Sequence, residues 1–401
     1  MMRKLKLSHI FKIPSFATYI GQKKILTYLI KSIVITLISI CFTQVVIYEL
    51  GNISGFVSAE KSADFQISDI YNSIADYRNI SQASPYVTVV AVDECSRKEL
   101  IDVLEVVSEY QPKVIGIDVF FKTASDDSLR ILSTLSKIPN LILPRIIKRQ
   151  EDNTYQYMNY SFIEKHLKTK YAYVNLNAST LHDVIRDFTP WQITANGDTL
   201  YQIATAMAKM ADIYQYNILQ ERNNIIETIK FSSIDIPIVS SDEILYRSND
   251  ECLSRYLTNR AVLIGDIHNL NDMYITPLKG LLPGVLIHAY SLQTILTASY
   301  TDSTPNWLNW LIAFLVSILF LFVNMIIKDQ WSHIGNMVMR LIQVALMFTL
   351  VFVGAYWYNH HLQYFDFSPL ILMLGLCSLS ADIFDGILAA ILQIKKYKQS
   401  H

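Results

Sequence analysis

The chain has 401 residues, of which 51% are hydrophobic and only 17% are charged, and its formal net charge is −1. With this overall charge balance we expect no nucleic-acid partner. Soluble domains carry about 25% charged residues. The composition therefore indicates that part of the chain lies in a lipid bilayer.

Four apolar stretches are long enough to cross a membrane, which takes about 20 residues in a helix. They cover residues 33–50, 307–327, 341–358 and 368–394. The first stretch is longer than the ~7 to 15 apolar residues of a signal peptide, and its basic leader is also longer. We therefore favour an uncleaved anchor over a cleaved signal peptide.

Charged residues predict the orientation of these spans. Seven Lys and Arg residues and no acid lie in residues 1–32, and three lysines lie in residues 395–401, so both segments are expected in the cytoplasm. The 328–340 loop is then also inside. Residues 51–305 are expected outside, because they are acidic, with 22 Lys and Arg against 30 Asp and Glu in 51–304. We predict a multi-pass protein of the bacterial cytoplasmic membrane, with its large domain in the periplasm or outside the cell.

The segment between the first two spans predicts an α/β domain with a mainly parallel sheet. Short β-branched runs alternate with stretches of helical periodicity, which is typical of βαβ units. A capping box of Ser96 and Glu99 marks one helix start, and Asp126 and Asp127 open another. The predicted strands lie in 87–94, 112–121, 140–147, 171–177 and 260–266, and the predicted helices are 96–110, the SLRILSTLSKI stretch, 199–214 and 283–298.

Several blocks of this segment carry a family resemblance. They occur in the order VVAVDE, QPKVIGIDVFF, DDSL, NLILP, NRAVLIGD, DMYITPL and PGVLIHAYSLQTIL. This order, with spans on both sides, resembles the CHASE type-two family (cyclases/histidine kinases associated sensory extracellular) over about residues 60–300. The resemblance implies a sensory domain that perceives an external signal. Since the segment after the last span is short, we expect a separate partner protein to provide the output.

Three predicted strands end in aspartate, at Asp93, Asp118 and Asp266. Because parallel sheets place ligands beyond the carboxyl ends of their strands, these carboxylates could converge with Asp272 on a cation or a cationic ligand. The alternative is that they cap helices or tie down loops, which is the commoner role of such residues.

Two histidines lie near the same strand ends. His288 is surrounded by apolar residues on a predicted helix, which favours a hydrogen-bonded core histidine over a ligand, whereas His268 is expected to be exposed. With histidine included, the site would suit a transition metal, but no particular metal is indicated. No short catalytic signature such as HExxH or GxGxxG is present, so we expect neither an enzyme nor a cofactor.

The last predicted span contains two acids, Asp382 and Asp385. Charge at bilayer depth is costly, and these residues lie three positions apart, on one helix face. We consider two alternatives: a contact with a basic residue such as Lys31, or a location in the headgroup region.

Cysteine usage permits one disulfide. Cys41 and Cys377 lie in predicted spans, whereas Cys95 and Cys252 lie outside the membrane, where a bridge is chemically allowed.

Three functional hypotheses follow. The first is a sensory input protein that signals to a partner, the second is an assembly subunit of an envelope membrane complex, and the third is an extracytoplasmic hydrolase. A homo-oligomer is compatible with each of them.

Overall fold

The computed structural model describes residues 22–52, 67–78, 82–93, 95–158, 161–178, 184–231, 234–247 and 251–399. Most of the basic N-terminal segment lies outside these residues. The chain forms two compact units. The helical unit comprises Met1–Ser54, Ser303–Gly354 and Phe365–His401, and the α/β unit comprises Gly55–Asp302 and Ala355–Tyr364.

Eleven α-helices lie in the described residues. In chain order they are α1 Gln22–Asn52, α2 Ile67–Arg78, α3 Arg97–Glu109, α4 Ser128–Lys137, α5 Ile203–Ala211, α6 Ile213–Arg222, α7 Ser241–Tyr246, α8 Glu251–Leu257, α9 Gly284–Leu296, α10 Asn306–His361 and α11 Ser368–Gln399. Single 3₁₀ turns cover Phe162–Lys165 and Leu270–Asp272.

Four helical segments have the length and composition of membrane spans, which confirms the four apolar helices predicted from the sequence. They are Lys24–Val46, Asn306–Trp331, Ile334–His361 and Ser368–Ile394.

The α/β unit contains a seven-stranded sheet. Its strands are β1 Val87–Ala91, β2 Val114–Asp118, β3 Leu141–Arg149, β4 Tyr155–Met158, β5 Lys170–Tyr173, β6 Ile238–Ser240 and β7 Ala261–Gly265. The order β6-β1-β7-β2-β3 is parallel throughout. β5 pairs in parallel with the first half of β3, and β4 pairs antiparallel with its second half. The predicted mixed α/β fold with a mainly parallel sheet is confirmed.

Shorter strand pairs surround this sheet. They are Gln82–Ala83 with Ile234–Asp235, Asp187–Phe188 with Glu227–Thr228, Trp191–Ile193 with Thr199–Tyr201, and Met273–Thr276 with Gly280–Pro283. The last pair, the 273–283 hairpin, leads directly into α9. Two-residue strands also lie at Asp302–Ser303 and Gln363–Tyr364.

Apolar residues on both sides of the central strands explain the layering. In β7, Ala261 and Leu263 pack on one face, while Val262 and Ile264 pack on the other. Helices α5, α6 and α9 cover the first face, and α3, α4, α7 and α8 cover the second. Every residue of α9 is buried. A sheet covered on both faces is expected to have β-branched strands of this kind.

Side-chain caps define several helix starts, and two of the sequence predictions for helices are not met. The Ser96–Glu99 capping box opens α3 as expected, but Asp127 makes no side-chain cap bond at α4. The helix predicted for 199–214 is wrong in outline. Thr199–Tyr201 is a strand, and Asp212 divides the remainder into α5 and α6, because its side chain accepts hydrogen bonds from the Tyr214 and Gln215 amides in the first turn of α6.

The segment 328–340, predicted as a loop, is helical within the 56-residue α10. This helix cannot be straight. A Cβ atom on Gly335 would lie 2.8 Å from the carbonyl oxygen of Ile327, whereas residues eight apart in a straight helix are separated by about 12 Å. The axis therefore bends sharply between the second and third spans, where Gly335 permits close approach of the backbone.

A row of hydroxyl side chains on α1 lies inside the helical unit. Ser32, Thr36, Ser39 and Thr43 are all buried. Ser39 Oγ donates to its own helix backbone and also lies 2.9 Å from Ser380 Oγ on α11. Small hydroxyl residues of this kind allow membrane helices to pack closely.

One close contact between the sheet and a covering helix is at Gly265, where an added Cβ would lie 2.7 Å from Val285 Cγ2. We expect Gly265→Ala to destabilise the protein by about 1–3 kcal/mol through overpacking, measured as a lower denaturation midpoint. Val285→Ala removes the opposing methyl groups. The double variant should therefore be more stable than the sum of the two single effects predicts, and strict additivity would contradict this packing.

Candidate functional site

The carboxyl ends of three neighbouring strands bring together the aspartates identified in the sequence. Because β7 lies between β1 and β2, Asp266 follows the central strand, with Asp93 on one side and Asp118 on the other. The predicted convergence therefore follows from strand order. The three carboxylates nevertheless have different surroundings.

Asp93 and Asp266 tie down the loop that follows β7. Asp93 Oδ1 accepts from the Ile267 amide at 2.6 Å, and Asp266 Oδ1 accepts from the amides of His268 and Asn269 at 2.9 and 3.1 Å. These contacts are those of the loop-tying alternative considered for acids at strand ends.

The two carboxyl groups also interact with each other. Burial raises the pKa of Asp266, and its hydrogen bond with Asp93 raises it further. Burial alone would raise the pKa of Asp93 too, but bonds from Asp266, the Ile267 amide and His268 hold it below its usual range. The pair therefore keeps a proton preferentially on Asp266.

His268 is exposed, as expected. Its side chain is 77% exposed, and Nδ1 lies 2.8 Å from Asp93 Oδ2. The contact is at the surface, so its contribution to stability is small.

Asp118 is in the most unusual environment of the three. Its side chain is 11% exposed, and its nearest ionisable partner is His288, with Oδ2 and Nε2 4.0 Å apart. Among the described residues, none donates a hydrogen bond to this carboxyl group. Burial, followed by the charge of Asp272, raises the pKa of Asp118 to about 7. Desolvation without a hydrogen-bond donor has this effect on any carboxyl group.

Asp272 belongs to the 3₁₀ turn Leu270–Asp272, and its carboxyl group lies beside Gly284 at the start of α9. Burial raises its pKa, although bonds from the Gly284 amide and the Tyr274 hydroxyl oppose the shift. A Cβ on Gly284 would lie 2.7 Å from Asp272 Oδ2. Glycine is therefore required at this position for the carboxylate to approach the helix N-terminus.

His288 has the geometry of a core histidine. Its residue is 1% exposed, Gln202 Nε2 lies 2.7 Å from Nδ1, and Val174 O lies 3.1 Å from Nε2. Burial lowers its pKa to about 4, so the ring is neutral at pH 7. The neutral tautomer consistent with both contacts accepts from Gln202 at Nδ1 and donates to Val174 from Nε2.

These side chains border a cavity of about 750 Å³ beyond the carboxyl ends of β2, β3, β5 and β7. The predicted residues that line it are Asp118, Asp266, Asp272 and His288; Asp93 and His268 do not. Lining residues that the sequence reasoning missed include Lys122, Asn175, Asn271, Tyr274 and Gly284. Asn175 and Tyr274 follow or belong to strands of this edge, so their positions in YAYVNLN and DMYITPL were the available signal.

The geometry gives no support for a metal centre. Across the described part of the chain, no three His, Cys, Asp or Glu side chains are placed to hold a metal ion. Cys95 and Cys252 are not joined by a disulfide.

The structure also shows a contact between two of the charged residues that were identified within the spans. Lys31 Nζ lies 3.7 Å from Asp385 Oδ1 and 5.8 Å from the centre of the Phe384 ring. An ion pair that the sequence reasoning missed joins Lys24 and Asp329 at 2.7 Å.

The raised pKa of Asp118 predicts a pH-dependent cost to folding. Its folded value of about 7 lies above the ordinary 3.8, so the native state binds more protons between these values and loses stability as pH rises through them. The full effect is on the order of 4 kcal/mol. Asp118→Asn should therefore be more stable than the wild type at pH 8, and the difference should nearly vanish at pH 4.

Thermal midpoints of both proteins from pH 4 to pH 8 measure this difference, and the titration of His288 is common to both proteins. The exposed Asp198 serves as the control through Asp198→Asn, whose difference from the wild type should not change with pH. Parallel pH profiles for Asp118→Asn and the wild type would contradict the burial argument.

Comparison with known families gives one match: the CHASE2 domain model matches residues 50–327. Comparison with the curated proteins gave no significant match, and neither did comparison with the solved structures. The matched segment contains the α/β unit's sheet and the cavity at its edge. Since it covers more than half of the chain, this protein belongs to the CHASE2 domain family, a family of sensory extracellular domains.

Proposed function

We propose that this protein is a membrane-anchored receptor whose α/β unit lies outside the cytoplasm. Its ligand would bind in the 750 Å³ cavity, and the signal would pass through the spans to a separate cytoplasmic or membrane partner. The observation that carries this proposal is the buried carboxyl group of Asp118, which faces the cavity with no hydrogen-bond donor among the described residues.

The energetic argument rests on the cost of that arrangement. A buried carboxyl group without a partner is unfavourable in either protonation state. Sites that accept such a cost are concentrated where a ligand or a reaction uses the group. With Asp266 and Asp272 also on the wall and His288 neutral, the cavity favours a ligand that is cationic or rich in hydrogen-bond donors. We infer a binding rather than a catalytic role, consistent with a sensory domain family.

Contacts inside the α/β unit suggest how binding could reach the spans. This unit includes the connecting segment Ala355–Tyr364, which comprises the end of the third span and the start of the link to the last span. Tyr71 of α2 is completely buried, and its ring centre lies 6.1 Å from that of Tyr358 and 6.0 Å from that of Tyr364. The Asp302 amide also donates to Leu362 O at 2.9 Å. The connecting segment is therefore held by the α/β unit.

Two further contacts join α2 to the wall of the cavity. Arg186 makes two bonds to the Asp69 carboxylate of α2, at 3.0 and 2.7 Å, and both side chains are largely buried. The neighbouring Ile185 amide donates to Ile275 O in the 273–283 hairpin at 2.8 Å. That hairpin carries Tyr274 and leads to Gly284, both on the cavity wall. We propose this series of contacts as the route of the signal.

The proposed orientation predicts the accessibility of a native thiol. Cys252 is exposed on the α/β unit, so a membrane-impermeant maleimide should label it on intact cells. Cys252→Ser identifies the background from the other thiols. In a Cys252→Ser chain, Met337→Cys, near the bend of α10, should react only after the cells are permeabilised. Labelling of Met337→Cys but not of Cys252 in sealed cells would reverse the orientation.

If the protein signals as proposed, a change in the cavity should alter the packing of the spans. In a chain whose four native cysteines are replaced by serine, Ser39→Cys and Ser380→Cys should form a disulfide readily, because the two hydroxyl oxygens are 2.9 Å apart. Adding Asp118→Asn, which removes the charge from the cavity wall, should change the cross-linking rate at pH 8 by at least about twofold, a difference of roughly 0.4 kcal/mol.

Asp198→Asn is the matched control and should leave the rate unchanged. Tyr71→Ala should abolish the effect of Asp118→Asn if the contacts with Tyr358 and Tyr364 transmit it. A rate that is insensitive to Asp118→Asn would favour an assembly subunit with no switch. Photo-crosslinking from Asp329 in intact membranes would then identify the neighbouring protein.

A further inference from the structure

A second cavity lies at the opposite edge of the same sheet. Its volume is about 500 Å³, and Asn140 and Lys170, at the starts of β3 and β5, lie on its wall. Val174, directly after β5, lines the first cavity, so β5 connects the two. We propose that this second cavity binds an oxyanion, a ligand that carries a phosphate or carboxylate group.

Its charge is the first argument. Lys170 and Lys209 both line the cavity, and among the described residues that line it none is acidic. Neither lysine forms an ion pair with a carboxylate of the described chain. Like charges around one cavity repel each other, and an anion bound in the cavity would be attracted to both ammonium groups. The first cavity, which is lined by three aspartates, has the opposite character.

The second argument is that Lys209 is held in place. Its Nζ lies 4.6 Å from the centre of the Tyr201 ring and 4.9 Å from that of Tyr216, and it donates to the Tyr201 hydroxyl oxygen at 3.3 Å. A surface lysine ordinarily loses side-chain entropy when it binds a ligand. Here the contacts with the two rings already restrict the Lys209 side chain, so less entropy is lost when a ligand binds.

The third argument is an unused donor. The Tyr201 oxygen accepts from both Lys209 and the Tyr216 hydroxyl, the latter at 3.2 Å. The Tyr201 O–H proton therefore has no acceptor among the described residues and is available to a ligand in the cavity. Burial raises the pKa of Tyr201, but these two bonds hold it below its usual value, which makes the hydroxyl a better donor.

The remaining wall is apolar and indicates what the rest of the ligand is like. Ala206, Met210 and Ile213 line the cavity, and Ile213 is 57% exposed. This wall accommodates a ligand in which the oxyanion is attached to a hydrocarbon or ring portion. Both a free metabolite and an acidic lipid headgroup have this chemistry.

The test uses the full chain in phosphatidylcholine nanodiscs, titrated with inorganic phosphate at constant ionic strength. The thermal midpoint of the wild type should rise with phosphate, linearly in the logarithm of its concentration once the site is filled. Lys209→Gln should weaken the apparent affinity about tenfold, as expected for loss of a charge-assisted hydrogen bond. Tyr201→Phe and Lys170→Gln should each weaken it about threefold or more. Lys137→Gln, an exposed lysine of α4 outside the cavity, should behave as the wild type.

A second arm distinguishes the two sources of the ligand. If the natural ligand is a headgroup, nanodiscs that contain phosphatidylglycerol should raise the midpoint without added phosphate, and Lys209→Gln should remove that rise. If the ligand is soluble, only added phosphate should act. Equal responses of the wild type and Lys209→Gln to phosphate and to phosphatidylglycerol would overturn the proposal. These results are independent of Asp118 and of signalling.

Discussion

The position of β7 between β1 and β2 is the constraint on which the α/β unit depends. β7 comes late in the chain, yet along its whole length it pairs in parallel with β1 and β2, the first two strands of the sheet in chain order. Its burial on both faces requires the apolar pattern AVLIG and the glycine that lets Val285 approach. Because all three strands run in one direction, their carboxyl ends necessarily meet, and so do the acids that follow them. The site is thus a consequence of strand order.

The two cavities differ in the charge of their lining residues and in how the cost of these charges is reduced. At the carboxyl edge, burial raises the pKa of Asp118, Asp266 and Asp272, which disfavours their charged forms. At the amino edge, two lysines stay at the surface, where water compensates their charge. Within the described part of the chain, no ion pair joins Asp118 to a lysine or arginine, or Lys170 or Lys209 to a carboxylate, so each of these groups lacks a complementary charge there. A ligand can supply that charge at either edge, and β5 extends from one edge to the other.

The sequence predicted the elements whose signals are local. The Ser96–Glu99 capping box, the buried strands and the apolar spans follow from residue type and period, and so does the exposure of His268. Other features depend on contacts between residues distant in the chain. Tyr201 lies in a strand paired with Trp191–Ile193, so the helical period read across 199–214 was misleading. The neutral His288 depends on Gln202 and Val174. The bend at Gly335 depends on a backbone approach that composition does not encode.

The contact of Lys230 with the connecting segment shows why that segment should respond to the state of the α/β unit. Lys230 lies 4.6 Å from the centre of the Tyr358 ring, and burial lowers its pKa to about 8. A buried ammonium group is costly, and attraction to an aromatic face recovers only ~1–2 kcal/mol. The Lys230 amide is meanwhile fixed by Thr294 of α9, the same helix that presents Gly284 and His288 to the cavity. If α9 moves, Lys230 moves with it through the bond to Thr294. The Lys230 ammonium group then either keeps its contact with the Tyr358 ring, which shifts that ring, or loses the contact that offsets the cost of burying its charge. Because neither outcome is neutral in energy, under the proposed receptor function a displacement at the cavity would change the position preferred by the connecting segment.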